Sequence, residues 1–140
     1  MFLVHFVIGY CGAALSWYLN HRFVFHGSLG RLPVLSSFRK LHTVHHRQAY
    51  TDIRNNHIFI PAWGHLLLGL ISLPVLYFSI FAWIGSVFFA FVYGIRHYEM
   101  HNGDTKSFHG NHHFLHHTTH PKHNFSGVHP IIDSIFGTMA

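Results

Sequence analysis

Acidic residues are scarce in this chain: four Asp and Glu in 140 residues, with charged residues of both signs making up 9%. An ordinary soluble domain carries about 25% charged residues, so the composition argues against a solvated globular surface. There is one cysteine, Cys11, inside an apolar run. It excludes an intramolecular disulfide and any cysteine-based zinc or iron–sulfur site, and it reads as a small buried hydrophobe. The nine Lys and Arg are scattered and accompany no nucleic-acid motif, which sets nucleic acid aside as a partner. No charged residue at all lies between Arg54 and Arg96.

What is present is apolar and imidazole-rich: 49% hydrophobic residues, 15 Phe and 18 His, with a formal charge of +5. The length suits one domain, residues 1–140. Residues 2–20 are apolar apart from His5, Ser16 and Asn20, and are long enough to cross a bilayer core. No basic segment precedes this run and HRFVFH follows it at once, so a retained span is preferred to a cleaved signal. Leu66 to Ile95 holds no charge and no histidine. One straight helix of that length would reach about 45 Å, too long for a core of about 30 Å. A hairpin fits better, with spans at about 58–75 and 78–95 and a reversal near Pro74. The hairpin puts all nine basic residues on one side, which the positive-inside rule makes cytoplasmic. The expected fold is therefore all-α: an integral membrane protein of about three spans, with a His-rich helical cap from residues 21–57 and 96–140 facing the cytoplasm. The membrane would be a bacterial inner membrane or the endoplasmic reticulum.

The histidines fall into four clusters: His21 and His26 in HRFVFH; His42, His45 and His46 in HTVHH; His97 and His101 in HYEMH; and His113, His116 and His117 in HHFLHH. Positions i, i+3 and i+4 share a helix face, so HxxHH is expected to aim two or three rings at one point, and HxxxH two. The i, i+5 spacing of HRFVFH does not line up on a regular helix; it is expected to work by fraying of the helix end after Asn20. Neutral imidazole is the commonest metal ligand. Ten converging rings exceed the needs of one ion, so two ions with about five ligands each is the economical account. Such an all-nitrogen site keeps positions open for O2 or water.

Other histidines carry less weight. His5 belongs to the far membrane surface, while His57 and His65 flank the second span. HGNHH (His109, His112, His113) is a rival register for the last cluster. His109 and His112 are otherwise candidates for supporting the ligands from behind. Glu99 lies between His97 and His101 but on another face, suited to orienting a ligand ring or pairing with a base.

The order H-x4-H, HxxHH, HxxxH, HxxHH, with apolar spans between, resembles the fatty acid hydroxylase and sterol desaturase superfamily over nearly the whole chain. HRFVFHG, LHTVHH and the ending HHFLHH…NFSGV…DSIFGT are most similar to its fatty acid 2-hydroxylase branch. The resemblance implies ten histidine ligands, a di-iron centre (which zinc can occupy on purification) and O2 as co-substrate. It further implies a fatty acyl or ceramide substrate hydroxylated at the 2-position. Electrons would come from an external donor of cytochrome b5 or ferredoxin type. It also favours His113, His116 and His117 over His112 as ligands. Carotenoid 3-hydroxylases and sterol oxidases of the same superfamily are the rival readings. A membrane metal-binding or transport protein is the non-enzymatic one. Transport usually places polar ligands within the spans, whereas here they sit at span ends.

Overall fold

The computed structural model describes residues 1–48 and 62–140, with the side chains of 62–69 set aside. The start of the expected second span at Ile58, together with Arg54, His57 and the side chain of His65, lies outside the described residues. Among the described residues every regular element is helical. Helix α1 (Phe2–Leu19) runs without a break into a π-helical turn, Asn20–Phe25. A short 3-10 turn at Leu29–Arg31 leads to α2 (Ser36–Gln48). Then follow α3 (Ala62–Phe78), α4 (Ile80–His101), α5 (Phe108–Thr118) and α6 (Pro130–Ile135).

Two expectations need correction. Pro74 does not turn the chain; it lies inside α3. The reversal is at Ser79, which is extended (φ −164°, ψ 119°) and whose Oγ accepts the Ala82 N–H at 3.3 Å. A serine in that position satisfies one of the free N–H groups that open a helix, whereas proline only removes a donor. The second arm, α4, is longer than the expected 78–95, and it carries His97 and His101 on its own last turns. The second correction is Cys11, which is exposed and not buried.

Helices α1 and α4 run parallel and form the main packing pair. Phe2 meets Phe81 at one end (ring centroids 4.6 Å) and Trp17 meets Tyr93 at the other (4.2 Å). Between them the backbones touch. A Cβ on Gly9 would sit 1.9 Å from the Ala82 carbonyl oxygen, and one on Gly85 2.1 Å from that of Phe6. Ser86 Oγ donates to the Gly9 carbonyl at 3.1 Å. Small residues that let helix backbones approach are the usual packing device where lipid removes the hydrophobic drive. Helix α3 returns against α4, with Trp83 Nε1 donating to Ser72 Oγ at 3.1 Å.

Two helical stretches, Phe2–Phe25 and Ile80–His101, are long and apolar enough to cross a membrane. Their outer faces expose Leu3, Val7, Ile8, Ile84, Phe88 and Phe91, a continuous apolar surface suited to lipid. Because α1 and α4 are parallel, their histidine-bearing ends lie at the same end of the molecule. His5 lies at the other end, its Nδ1 2.9 Å from Ser79 Oγ.

Candidate metal centre

The π-helical turn explains how His21 and His26 meet. On an α-helix five residues put side chains about 140° apart. The wider i→i+5 turn, closed by His26 N–H to the His21 carbonyl at 3.1 Å, brings them to one face. Their rings lie 5.0 Å apart. The helix end widens into a hydrogen-bonded π turn here; it does not fray.

The ten cluster histidines assemble into two groups of five. His21, His26, His42, His46 and His116 form one; His45, His97, His101, His113 and His117 form the other. In each group one ring nitrogen per residue lies within 4.8 Å of all the others. Each HxxHH box is split, so that two of its three rings meet, within the two or three expected. Its i, i+4 pair joins one group and its middle histidine joins the other. The groups adjoin: His46 and His117, one from each, stack with centroids 4.1 Å apart.

Hydrogen bonding alone does not account for these contacts. His21 Nδ1 lies 2.6 Å from the Phe125 carbonyl oxygen and His116 Nδ1 2.6 Å from that of His123. A carbonyl can only accept, so both rings donate from Nδ1, and when neutral both present a bare lone pair at Nε2. Those two Nε2 atoms are 3.1 Å apart, and neither can donate to the other. His42 Nε2 lies 3.0, 2.9 and 2.9 Å from Nε2 of His21, His26 and His46, more partners than one ring nitrogen can serve. A cation resolves both conflicts. Metal–nitrogen bonds of about 2.1 Å at right angles separate neighbouring donors by about 3.0 Å and opposite donors by about 4.2 Å. The second group has the same spacing: His101 Nε2 is 3.2 Å from that of His97 and 2.9 Å from that of His113. The residues fit one metal ion per group. No carboxylate joins either group among the described residues.

The surroundings keep the rings neutral. Burial, followed by neighbouring imidazoles, pushes His26 down to about 4 and His46 to about 3. Burial likewise takes His116 down to about 3. His42, His45 and His117 are lowered further, and His113 well below the ordinary imidazole value, by burial first. Deprotonated imidazole is the form that binds metal. Aromatic rings close the site: Phe25 stacks on His42 at 4.9 Å, Tyr93 on His97 at 5.2 Å, and Phe125 lies 5.8, 5.6 and 5.7 Å from His21, His26 and His116.

The remaining candidates lie outside both groups. His112 Nε2 is 3.1 Å from Asp133 Oδ2, both residues buried. Glu99 is on the surface, paired with Arg96 at 2.8 Å. His109 is half-buried at the start of α5, and His129 Nε2 is 2.8 Å from Tyr10 Oη. Sequence reasoning missed Asp133, Asn124, Thr138 and Tyr18, which hold the C-terminal segment against the ligands. The available signal was Asp133 itself, an acid set in the apolar stretch IIDSIF of a chain with few acids.

The fatty acid hydroxylase family matches residues 6–138. Neither a curated protein nor a solved structure matches the chain. The match spans nearly the whole chain, so the protein belongs to the fatty acid hydroxylase family, whose members are lipid hydroxylases or desaturase-like oxygenases and generally membrane-bound. Its histidine groups can hold metal ions.

Proposed function

We propose that this member of the fatty acid hydroxylase family is an O2-dependent dimetal oxygenase that hydroxylates the acyl chain of a membrane lipid. The observation that carries the proposal is the pair of adjoining five-histidine groups whose lone pairs converge at metal-ligand spacing. Two iron ions are the proposed native occupants; zinc can take the same imidazole sites on purification but, having no redox chemistry, would not support the reaction. When bound, the metal pair would supply activation of O2, one oxygen atom entering a C–H bond and the other leaving as water at the expense of two external electrons and two protons.

The chain's own part is binding, orientation and exclusion of water. The ten histidines bind without acting as acids or bases. The Phe125 and His123 carbonyls fix the Nδ1–H tautomers of His21 and His116 and so keep each Nε2 available. Phe25, Tyr93 and Phe125 shield the rings from bulk water. In the proposed topology α1 and the two arms of the α3–α4 hairpin make three spans, and the parallel α1 and α4 deliver both groups to a cytoplasmic cap. An acyl chain lying along the exposed apolar faces of α1 and α4 would then approach the metals from the membrane side. The substrate proposed is a fatty acid or ceramide at the 2-position, after the branch to which the motifs are most similar. The membrane is a bacterial inner membrane or the endoplasmic reticulum, and the electron donor a cytochrome b5-like or ferredoxin-like protein.

Expression in a host that lacks the activity, with lipid analysis under air and under nitrogen, tests this. A 2-hydroxylated acyl lipid that appears only in air is expected. Hydroxylated carotenoid or sterol with unchanged acyl chains would select another substrate. Metal binding with no O2-dependent lipid product would leave a metal-binding or transport protein.

A further inference from the structure

We infer that Asp133 is a positioning residue for the first histidine group and not for the second, so that the two metal positions are supported unequally. The inference rests on the dimetal reading above.

Asp133 is fully buried and its carboxylate is received by four donors. Oδ1 accepts the Phe125 N–H at 2.8 Å and the Thr138 hydroxyl at 2.7 Å. Oδ2 accepts the Ser126 N–H at 2.8 Å and faces His112 Nε2 at 3.1 Å. Burial alone would raise its pKa; the bonds from His112, Ser126 and Thr138 outweigh burial and hold it below the usual carboxylate range. The chain of donors extends to the surface with one polarity. Arg22 donates to Tyr18 Oη at 2.7 Å, which leaves the Tyr18 hydroxyl to donate to Thr138 Oγ1 at 3.0 Å.

What this carboxylate holds is the loop 123–126. Asn124 sits there at φ 60°, a left-handed conformation that asparagine tolerates better than most residues. The Asn124 N–H bonds the Thr138 carbonyl at 2.8 Å and its Nδ2 the His112 carbonyl at 3.0 Å. So held, the loop points two carbonyls at metal ligands, His123 to His116 and Phe125 to His21. Both belong to the first group. His113, in the second group, has a buried Nδ1 with no hydrogen-bond partner, and His97 is held by the stacked ring of Tyr93. Two ligands of the first group, His21 and His116, are thus fixed through backbone hydrogen bonds traceable to Asp133, while His97 of the second is held by packing. Loss of such a supporting contact costs roughly 10–100-fold in metal affinity.

Asp133→Asn keeps the shape of the side chain but sets an NH2 against a backbone N–H it used to accept. Two backgrounds separate the groups. His42→Ala removes the hub of the first and His101→Ala that of the second, and each is expected to retain one ion. Zn2+ affinity is then measured by competition with a chelator on purified protein in detergent, with helicity checked by circular dichroism. Asp133→Asn is expected to weaken Zn2+ by roughly 10–100-fold in the His101→Ala background and to leave it unchanged in the His42→Ala background. A merely structural role would weaken both alike, and that result overturns the inference, as does no weakening in either. Should Asp133→Asn fail to fold, Thr138→Val, which removes one of the four donors, is expected to show the same one-sided pattern with a smaller loss, and symmetric or absent loss there is equally fatal. If the wild-type protein binds no Zn2+ at all, the dimetal reading falls and this inference with it. If the wild type binds two ions and Asp133→Asn acts symmetrically, only the inference falls.

Discussion

Replacing Gly85 by alanine should open the α1–α4 contact, and the cost can be worked from the geometry. The added Cβ would sit 2.1 Å from the Phe6 carbonyl oxygen and 3.0 Å from the Tyr10 nitrogen. A carbon–oxygen contact settles at about 3.3 Å, so the facing backbones must part by roughly 1 Å. No flexible side chain can yield, because the obstacle is backbone. Overpacking of this kind costs about 1–3 kcal/mol. The bond from Ser86 to the Gly9 carbonyl, one residue along the same helix, would lengthen and forfeit about 1 kcal/mol more. Gly9→Ala meets Ala82 in the same way, at 1.9 Å. Gly12 and Gly94 lie on the same two helices with nothing within 4 Å of an added Cβ. There alanine should be neutral or stabilise by up to about 1 kcal/mol through helix propensity. Thermal unfolding in detergent should therefore rank Gly12→Ala and Gly94→Ala at or above wild type. Gly9→Ala and Gly85→Ala should melt about 10 °C lower. Metal content should fall with them, since α1 leads to His21 and His26 and α4 carries His97 and His101. Equal melting of Gly85→Ala and Gly94→Ala would refute the close-contact argument.

Other outcomes follow from the same geometry. Single cysteines introduced at the exposed positions 43, 111 and 77 in a Cys11→Ser background should label from one side of the membrane for 43 and 111 and from the other for 77. Labelling of 43 and 111 from opposite sides would dissolve the shared site. In the metal-free protein His26, His46 and His116 sit at about 4, 3 and 3, below the roughly 6.5 of an unfolded histidine. The unfolded chain thus takes up protons first. Stability should be flat above about pH 6.5 and fall as pH drops toward 4, and a metal-free melting temperature higher at pH 5 than at pH 7.5 would contradict this. Lys40 and Arg47 are exposed on α2 beside the second histidine box, so Lys40→Glu with Arg47→Glu should slow reduction by an acidic electron carrier at low salt and flatten its salt dependence. Unchanged reduction rates at low salt would return those residues to a membrane-anchoring role.

Most of the grouping of the histidines could be read from spacing because helical periodicity does the arranging. The boxes on α2, α4 and α5 lie on regular helices, so i, i+4 pairs converge wherever the helices go. The pair His21 and His26 was legible as residues but not as geometry, since nothing in HRFVFH marks a switch from i→i+4 to i→i+5 bonding. The reversal at Ser79 was legible in principle, as a serine three residues before Ala82 at the start of an apolar run; the proline nearby was the louder signal and the wrong one. The support at Asp133 was legible only as an acid set in an apolar stretch, not as a role. Its meaning depends on backbone N–H groups of Phe125 and Ser126, and on a hydroxyl and an imidazole from elsewhere in the chain, and backbone donors leave no trace in residue identity.

The HxxHH box has a further consequence that spacing imposes and the structure makes visible. On an α-helix the second and third histidines of the box are consecutive, about 100° apart around the axis. They cannot both aim where the first one aims. The i, i+4 pair differs by only about 40° and can share an ion, so the middle ring must point aside. In α2 this sends His42 and His46 to one group and His45 to the other; in α5 it sends His113 and His117 to one and His116 to the other. Two such boxes facing each other therefore build two adjoining sites and not one crowded site. The π turn of α1 and the HxxxH of α4 then each complete a single group. It follows that α2 and α5 are common to both histidine groups: tilting either helix disturbs both, while a change confined to the α1 end or to the last turns of α4 falls first on one.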